Sequence, residues 1–163
     1  MIFLTVGTLY PFDRLVTTVD DLVDRGVIDE QVFAQIGIGA KSPGNIDWVE
    51  KLDKDMFDDI ACECTCMISH AGMGSILEGL KNSKPMLVMP RLSKYNEIIN
   101  DHQVPTAEKF EELGHVLAAY DTNQIKQKYP LLRNFVPKLR QASIDGVIER
   151  ISAFLQETSK ERV

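Results

Sequence analysis

The sequence predicts an α/β fold, a Rossmann-like parallel sheet with helices on both faces. Three observations carry that expectation. Short apolar runs rich in β-branched and aromatic residues alternate with stretches of helical periodicity along the chain. The run Met86-Leu-Val-Met89 is apolar at every position, as a strand buried on both faces requires. Glycines follow the ends of predicted strands at Gly7 and Gly72, so the turns at the carboxyl edge of the sheet are built for sharp reversal or close approach.

Taken in order, Ile2 to Val6 reads as the first strand, closed by Gly7-Thr8. Pro11 suits the entry to a helix carrying Phe12, Leu15, Val16, Val19, Leu22 and Val23 at helical spacing, up to Gly26. Val32-Phe-Ala-Gln-Ile36 is a second strand, and Asn45 to Lys51 holds a short third one. Between them, Gly37-x-Gly39-x-Lys41-Ser42 has the composition of a P-loop, but Ala40 stands where that loop needs glycine before lysine, and Pro43 opposes a helix start. An ATPase reading is rejected on those grounds.

Asp55 to Ala61 reads as a short helix. Cys62, Cys64 and Cys66 alternate with Glu63 and Thr65, which on an extended segment places all three on one face as small buried hydrophobes. Their spacing is not that of a zinc or redox site, and no metal is expected. A strand from Cys66 to Ile68 leads into Ser69-His-Ala-Gly-Met-Gly-Ser75, with a helix from Ser75 to about Asn82. Lys84-Pro85 ends it, Met86 to Met89 is the fifth strand, and Ile98 to Leu113 is helical around Pro105. His115 to Tyr120 gives the last strand and Thr122 to Tyr129 a short helix. Ile144, Val147, Ile148, Ile151, Phe154 and Leu155 lie at helical spacing ahead of a charged tail; that stripe is expected to cover the sheet, or less readily to dock on another protein.

The segment from Met67 to Glu78 concentrates the chemistry. Gly72 and Gly74 at a strand-to-helix junction leave the first helical N–H groups free at the positive end of the macrodipole, where phosphate oxygens bind. Glu78, about one turn into the helix, reaches hydroxyl groups beside such phosphates. The same residues admit a purely architectural reading, because Ser75-x-x-Glu78 also fits a capping box. A third glycine three residues after Gly74 is missing, with Leu77 in its place, so a dinucleotide fingerprint fails.

At 163 residues, 44% hydrophobic and 26% charged, the chain is expected to form one domain over residues 1–163. A net charge of -6 argues against nucleic acid as partner. No apolar run approaches the ~18 residues that span a bilayer, and Met1 to Val6 lacks a basic leader region. The expected location is cytoplasmic, with membrane contact only through a partner.

Val6-Gly-Thr-x-x-Pro-Phe-Asp-Arg-Leu15, Ile68-Ser-His-Ala-Gly-x-Gly-Ser-Ile-x-Glu78, Lys84-Pro85, Val88-x-Pro-Arg91 and Asp101-His-Gln103 occur in that order. Together they resemble the carboxyl-terminal, donor-binding half of family 28 glycosyltransferases, and in particular its stand-alone halves in bacterial exopolysaccharide synthesis and in the eukaryotic dolichol-linked UDP-N-acetylglucosamine transferase. The resemblance fades after about Ile125. It implies half of a GT-B enzyme, with the lipid-linked acceptor and the general base held by a membrane-associated partner subunit. It implies hexosyl transfer from a UDP-sugar without a bound metal or other cofactor, and little activity for the chain alone. By the same resemblance, Gly72, Met73, Gly74 and Ser75 face the diphosphate, Thr8 lies near it, and Glu78 takes the ribose hydroxyls. His102 and Gln103 meet the sugar, Arg91 belongs to the same donor-binding set, and Leu52 to Asp55 overlie the uracil. His70 bears on the leaving diphosphate, as a cation or as a donor, or is structural. Leu9 and Ser83 depart from the family pattern, which has His and Gly there. A non-catalytic scaffold for a complete transferase is the alternative reading.

Overall fold

The computed structural model describes residues 1–138 and, beyond them, residues 150 and 152. The expected helix of Ile144 to Leu155 therefore lies outside the described residues. Within them, six parallel strands form one sheet in the order β3-β2-β1-β4-β5-β6. The strands are β1 Ile2–Thr5, β2 Val32–Gln35, β3 Asp47–Val49, β4 Cys66–His70, β5 Met86–Met89 and β6 Leu117–Ala118. The helices are α1 Asp13–Asp24, α2 Lys54–Glu63, α3 Met73–Lys81, α4 Gln103–Glu112 and α5 Thr122–Leu132. The chain builds outward from β1 through β2 to β3, then returns through α2 to β4 on the other side of β1. The strand order reverses there, and a crevice opens between the β1–α1 and β4–α3 turns.

The pleat divides the core by parity. Leu4, Ala34, Ile68 and Leu87 share a register level and pack under α1 and α5 with Leu15, Val19 and Ile125. Phe3 and Met67 face the other way, under α2 and α3, with Ile76, Leu80 and Val88. On that second face, one step toward the carboxyl edge, the level Gln35–Thr5–Ser69 is polar and buried.

Several boundaries differ from expectation. Cys62 lies in α2 and is exposed, while Cys64 caps that helix and Cys66 opens β4. The alternation Cys62–Cys64–Cys66 is therefore not one strand face: α2, whose start is capped by Asp53 accepting from Met56 N at 2.8 Å, runs on to Glu63 and takes Cys62 into the helix. Helix α3 begins at Met73, two residues earlier than expected. Helix α4 begins only at Gln103; Ser93–Tyr95 is a 3-10 turn, and Ile98 to Asp101 form a loop. Pro105 falls in the first turn of α4, where its missing N–H costs nothing and no kink results. The last strand is confined to Leu117–Ala118.

Ser83 shows what its departure from glycine does. Helix α3 ends with Ser83 N donating to Leu80 O (3.0 Å) and Lys84 N to Gly79 O (2.9 Å), and Ser83 sits at φ 53°, the left-handed position that favours glycine. A side chain there costs about 1 kcal/mol. Ser83→Gly is expected to raise the unfolding free energy by roughly that amount, read as a higher urea midpoint at unchanged slope; an unchanged or lower midpoint contradicts it.

Candidate functional site

Beside the reversal of strand order lies a cavity of about 660 Å3, within the usual range for small-molecule sites. Its walls come from the β1–α1 loop (Val6 to Tyr10), the start of α2 (Leu52 to Lys54, and Phe57), α3, and the loop from Ile98 to Gln103. Of the residues singled out in the sequence, Thr8, His70, Gly74, Ser75, Glu78, Arg91, His102 and Gln103 line it together. Gly72 and Met73 do not: Gly72 caps α3 from behind, and Met73 is exposed at its first position. Leu52, Asp53 and Lys54 line it from the Leu52 to Asp55 segment singled out in the sequence; Tyr10, Gln35, Phe57, Ile99 and Asn100 also line it and were not anticipated as contacts.

The opening of α3 removes the capping-box reading of its motif. The cap residue is Gly72, with no side-chain cap hydrogen bond, so Ser75 is the third helical residue and the capping box does not form. Glu78 instead pairs with residues further along α3: Oε1 accepts from Lys81 Nζ and Asn82 Nδ2, both at 3.0 Å. Its Oε2 has only Lys54 Nζ nearby, at 3.7 Å, and accepts no hydrogen bond among the described residues. The two glycines serve different purposes. A Cβ on Gly72 would lie 2.0 Å from His70 Nε2, so that glycine is demanded by protein packing. A Cβ on Gly74 would meet no protein atom within 4 Å, so the space beside it is cavity.

His70 fills the gap between the two turns. Gly7, at φ 79°, has room for no side chain either, since a Cβ there would lie 2.8 Å from His70 Cε1. Burial, and then the charge of Arg91, pull the imidazole down to about 4, so it is neutral near pH 7. Without an anion beside it, the ring is thus a hydrogen-bonding group and not a cation. Its Nδ1 has no hydrogen-bond partner among the described residues.

Arg91 is the charged element of the floor. Only 3% exposed, its Nη2 donates to the carbonyls of Val6 (2.8 Å) and Tyr10, tying β5 to the β1–α1 loop. Burial lowers it to about 10, which leaves it charged at neutral pH. It forms no salt bridge among the described residues, because Glu97 is committed to Arg14 (2.7 Å), and its Nε is unpartnered. A buried cation without a counter-ion, lining the same cavity as an uncapped helix N-terminus, gives that cavity the electrostatics that favour an anion.

At the far wall, Gln103 Oε1 accepts from Arg91 N (3.1 Å), which leaves its Nε2 for a ligand. His102 Nδ1 faces Asn100 Oδ1 at 2.5 Å; because that oxygen only accepts, Nδ1 carries the proton and Nε2 is left as an acceptor. Among the described residues, no group of three or more His, Cys, Asp or Glu side chains could hold a metal ion, and no helix is long and apolar enough to cross a membrane.

A family model described as glycosyltransferase family 28 C-terminal domain matches residues 1–149. Among curated proteins, the chain is similar to the UDP-N-acetylglucosamine transferase subunit ALG13 of Candida glabrata, 43% identical over 56 residues, 34% of this chain and 26% of that protein. The human protein of the same name is 31% identical over 124 residues, 71% of this chain and 10% of its own length. The chain thus spans well under two thirds of either relative. Among solved structures, an NMR structure of ALG13 matches with TM-score 0.58 and 22% identity, covering 92% of this chain and 93% of that one. Acinetobacter baumannii MurG matches with TM-score 0.60 and 17% identity, covering 82% of this chain and 42% of that one. These likenesses give the fold, the equivalent of the carboxyl-terminal half of a GT-B glycosyltransferase.

Two outcomes follow from this geometry. Gly72→Ala should displace His70 and lower stability by roughly 1–3 kcal/mol, whereas Gly74→Ala should keep or slightly raise it, both read by urea denaturation; equal effects contradict the division. Because the His70 pKa is lower in the folded chain than its ordinary 6.5, the unfolded chain takes up the proton first. Stability should therefore fall as pH drops from about 6.5 to about 4, by roughly 3 kcal/mol in all. His70→Gln should lack that part of the slope, and a parallel slope in the variant contradicts it.

Proposed function

The chain belongs to the glycosyltransferase family 28 C-terminal domain family, and from that premise we propose that it is the donor-binding subunit of a UDP-sugar-dependent glycosyltransferase. The observation that carries the reading is the uncapped N-terminus of α3, opening into a cavity beside the buried, unpaired charge of Arg91. A diphosphate seated there meets the amides of the first α3 turn at Gly74 and Ser75, with the Thr8 hydroxyl across from them. Neutral His70 serves as a hydrogen-bond donor to the phosphate rather than as a cation. Glu78 Oε2 takes ribose hydroxyls, and the base lies over Leu52 and Phe57 at the start of α2. The sugar then points toward His102 Nε2 and Gln103 Nε2, an acceptor and a donor suited to hydroxyl and amide groups. The transferred group is a hexose or N-acetylhexosamine, and the relatives' names, which print UDP-N-acetylglucosamine, support the second.

In this reading the departing UDP is stabilised by fixed dipoles and Arg91, and the scheme calls for no metal ion. The acceptor, lipid-linked, and the base that activates its hydroxyl belong to a membrane-associated partner, which also brings this chain to the cytoplasmic face of the membrane.

Calorimetric titration with UDP tests the reading directly. The chain should bind UDP, and Glu78→Ala should weaken binding about tenfold or more, since a carboxylate holding two hydroxyls makes charge-assisted bonds. The purified chain should show little sugar transfer until the acceptor half is added. Unchanged binding by Glu78→Ala overturns the ribose assignment. Absence of UDP binding, with and without the partner, favours a scaffold, and strong turnover by the chain alone overturns the two-subunit scheme.

A further inference from the structure

We infer that Gln35 is an additional ligand contact, whose side-chain amide N–H donates to an acceptor oxygen of the bound nucleotide at the floor of the cavity. The inference rests on the nucleotide reading above and adds to it a residue that no motif marks. Gln35 is the last residue of β2, 1% exposed, and lines the cavity. Its Nε2 is buried and has no hydrogen-bond partner among the described residues. Buried amide donors are almost always paired, so an orphan in a cavity wall points to something that enters the cavity.

The orientation of the amide follows from its neighbours. Thr5 Oγ1 accepts from Gly7 N at 3.2 Å and lies 3.1 Å from Gln35 Oε1. With the hydroxyl proton given to Oε1, all of these groups are satisfied except the NH2. Turning the amide over would strand the Thr5 proton, the Gln35 carbonyl and one N–H together, so the donor end faces the cavity. The levels beneath offer no alternative partner: Phe33 and Phe3, two residues back on the same face, are apolar. Thr5 and Gly7 thus do more than turn the chain; they hold this amide in place at the foot of the glycine turn.

The partner is an oxygen that only accepts, which on a nucleotide is a phosphoryl oxygen or a base carbonyl. The two are told apart by titrating UDP and uridine, followed by 15N–1H NMR, into the full chain and its Gln35→Met and Gln35→Glu forms. Gln35→Met keeps the volume and should weaken UDP about tenfold; Gln35→Glu should weaken it further, because a carboxylate then faces the ligand oxygen. A parallel loss with uridine assigns a base carbonyl, and a loss with UDP alone assigns a phosphoryl oxygen. In the unaltered chain, the Gln35 side-chain amide signals should shift on adding UDP, a readout that does not depend on any variant folding. Wild-type affinity in Gln35→Met, or amide signals that stay put while UDP binds, overturns the inference and leaves water as the amide's partner. A chain that binds neither compound overturns the nucleotide reading itself.

Discussion

The imidazole of His70, wedged between two glycine turns, sets the width of the crevice on which the site depends. Side chains at Gly7 or Gly72 would occupy the volume the ring fills, so the β1–α1 and β4–α3 turns both close directly on the imidazole. Thr8, from the first strand's turn, lines the same cavity as Gly74 and Ser75 at the opening of α3. The packing of the two turns also explains why the ring is uncharged: it removes the imidazole from water, and Arg91 opposes a second positive charge nearby. Positive potential deep in the crevice then comes from Arg91 and the α3 dipole, while Lys54 at its wall is already paired with Asp58 and Glu78.

The opposite wall is held from a distance. Arg14, on α1, makes two hydrogen bonds of 2.7 Å to Glu97, and its Nη2 also reaches Pro90 O at 3.2 Å. The Phe12 and Tyr95 rings lie 5.2 and 4.7 Å from its guanidinium carbon. Glu97 Oε2 accepts from Leu92 N, Asp101 from Ser93 N, and Gln103 from Arg91 N. These bonds fold the segment between β5 and α4 into an arch that carries Ile98 to His102 over the cavity. The Phe12-Asp13-Arg14 part of the first motif is thus a brace for the far wall, remote in sequence from the residues it positions.

The parallel sheet, the burial of its strands and the glycine motif were legible because each leaves a local pattern: period, apolar run, or turn residue. What escaped depended on pairing across the chain. Periodicity through Ile98 and Ile99 suggested helix, yet Ile99 is 88% exposed and the segment is bent into the arch by Arg14, more than eighty residues away. The cysteines alternated as a strand would, but the cap at Asp53 sets where α2 starts, and no spacing within Cys62 to Cys66 records where it stops. Ser75-x-x-Glu78 satisfied a capping pattern that the structure does not use, because the Gly72 turn starts the helix sooner. Gln35 was visible as the polar residue in the run Val32 to Ile36; its meaning required knowing that β2 ends beside the crevice.

How a chain of net charge -6 presents an anion site is a question of distance. At physiological ionic strength charges separated by more than about 8 Å across solvent are largely screened, so acidic residues on the outer faces of the helices contribute little inside the crevice. Arg91 is buried, and the α3 amides face the same cavity, so neither is screened in that way. The two carboxylates that line the cavity are also partly spoken for: Asp53 caps α2, and one oxygen of Glu78 is held by Lys81 and Asn82. Local burial, rather than overall charge, decides the sign of the field here. The same burial that leaves Arg91 without a counter-ion makes an entering anion its most favourable partner.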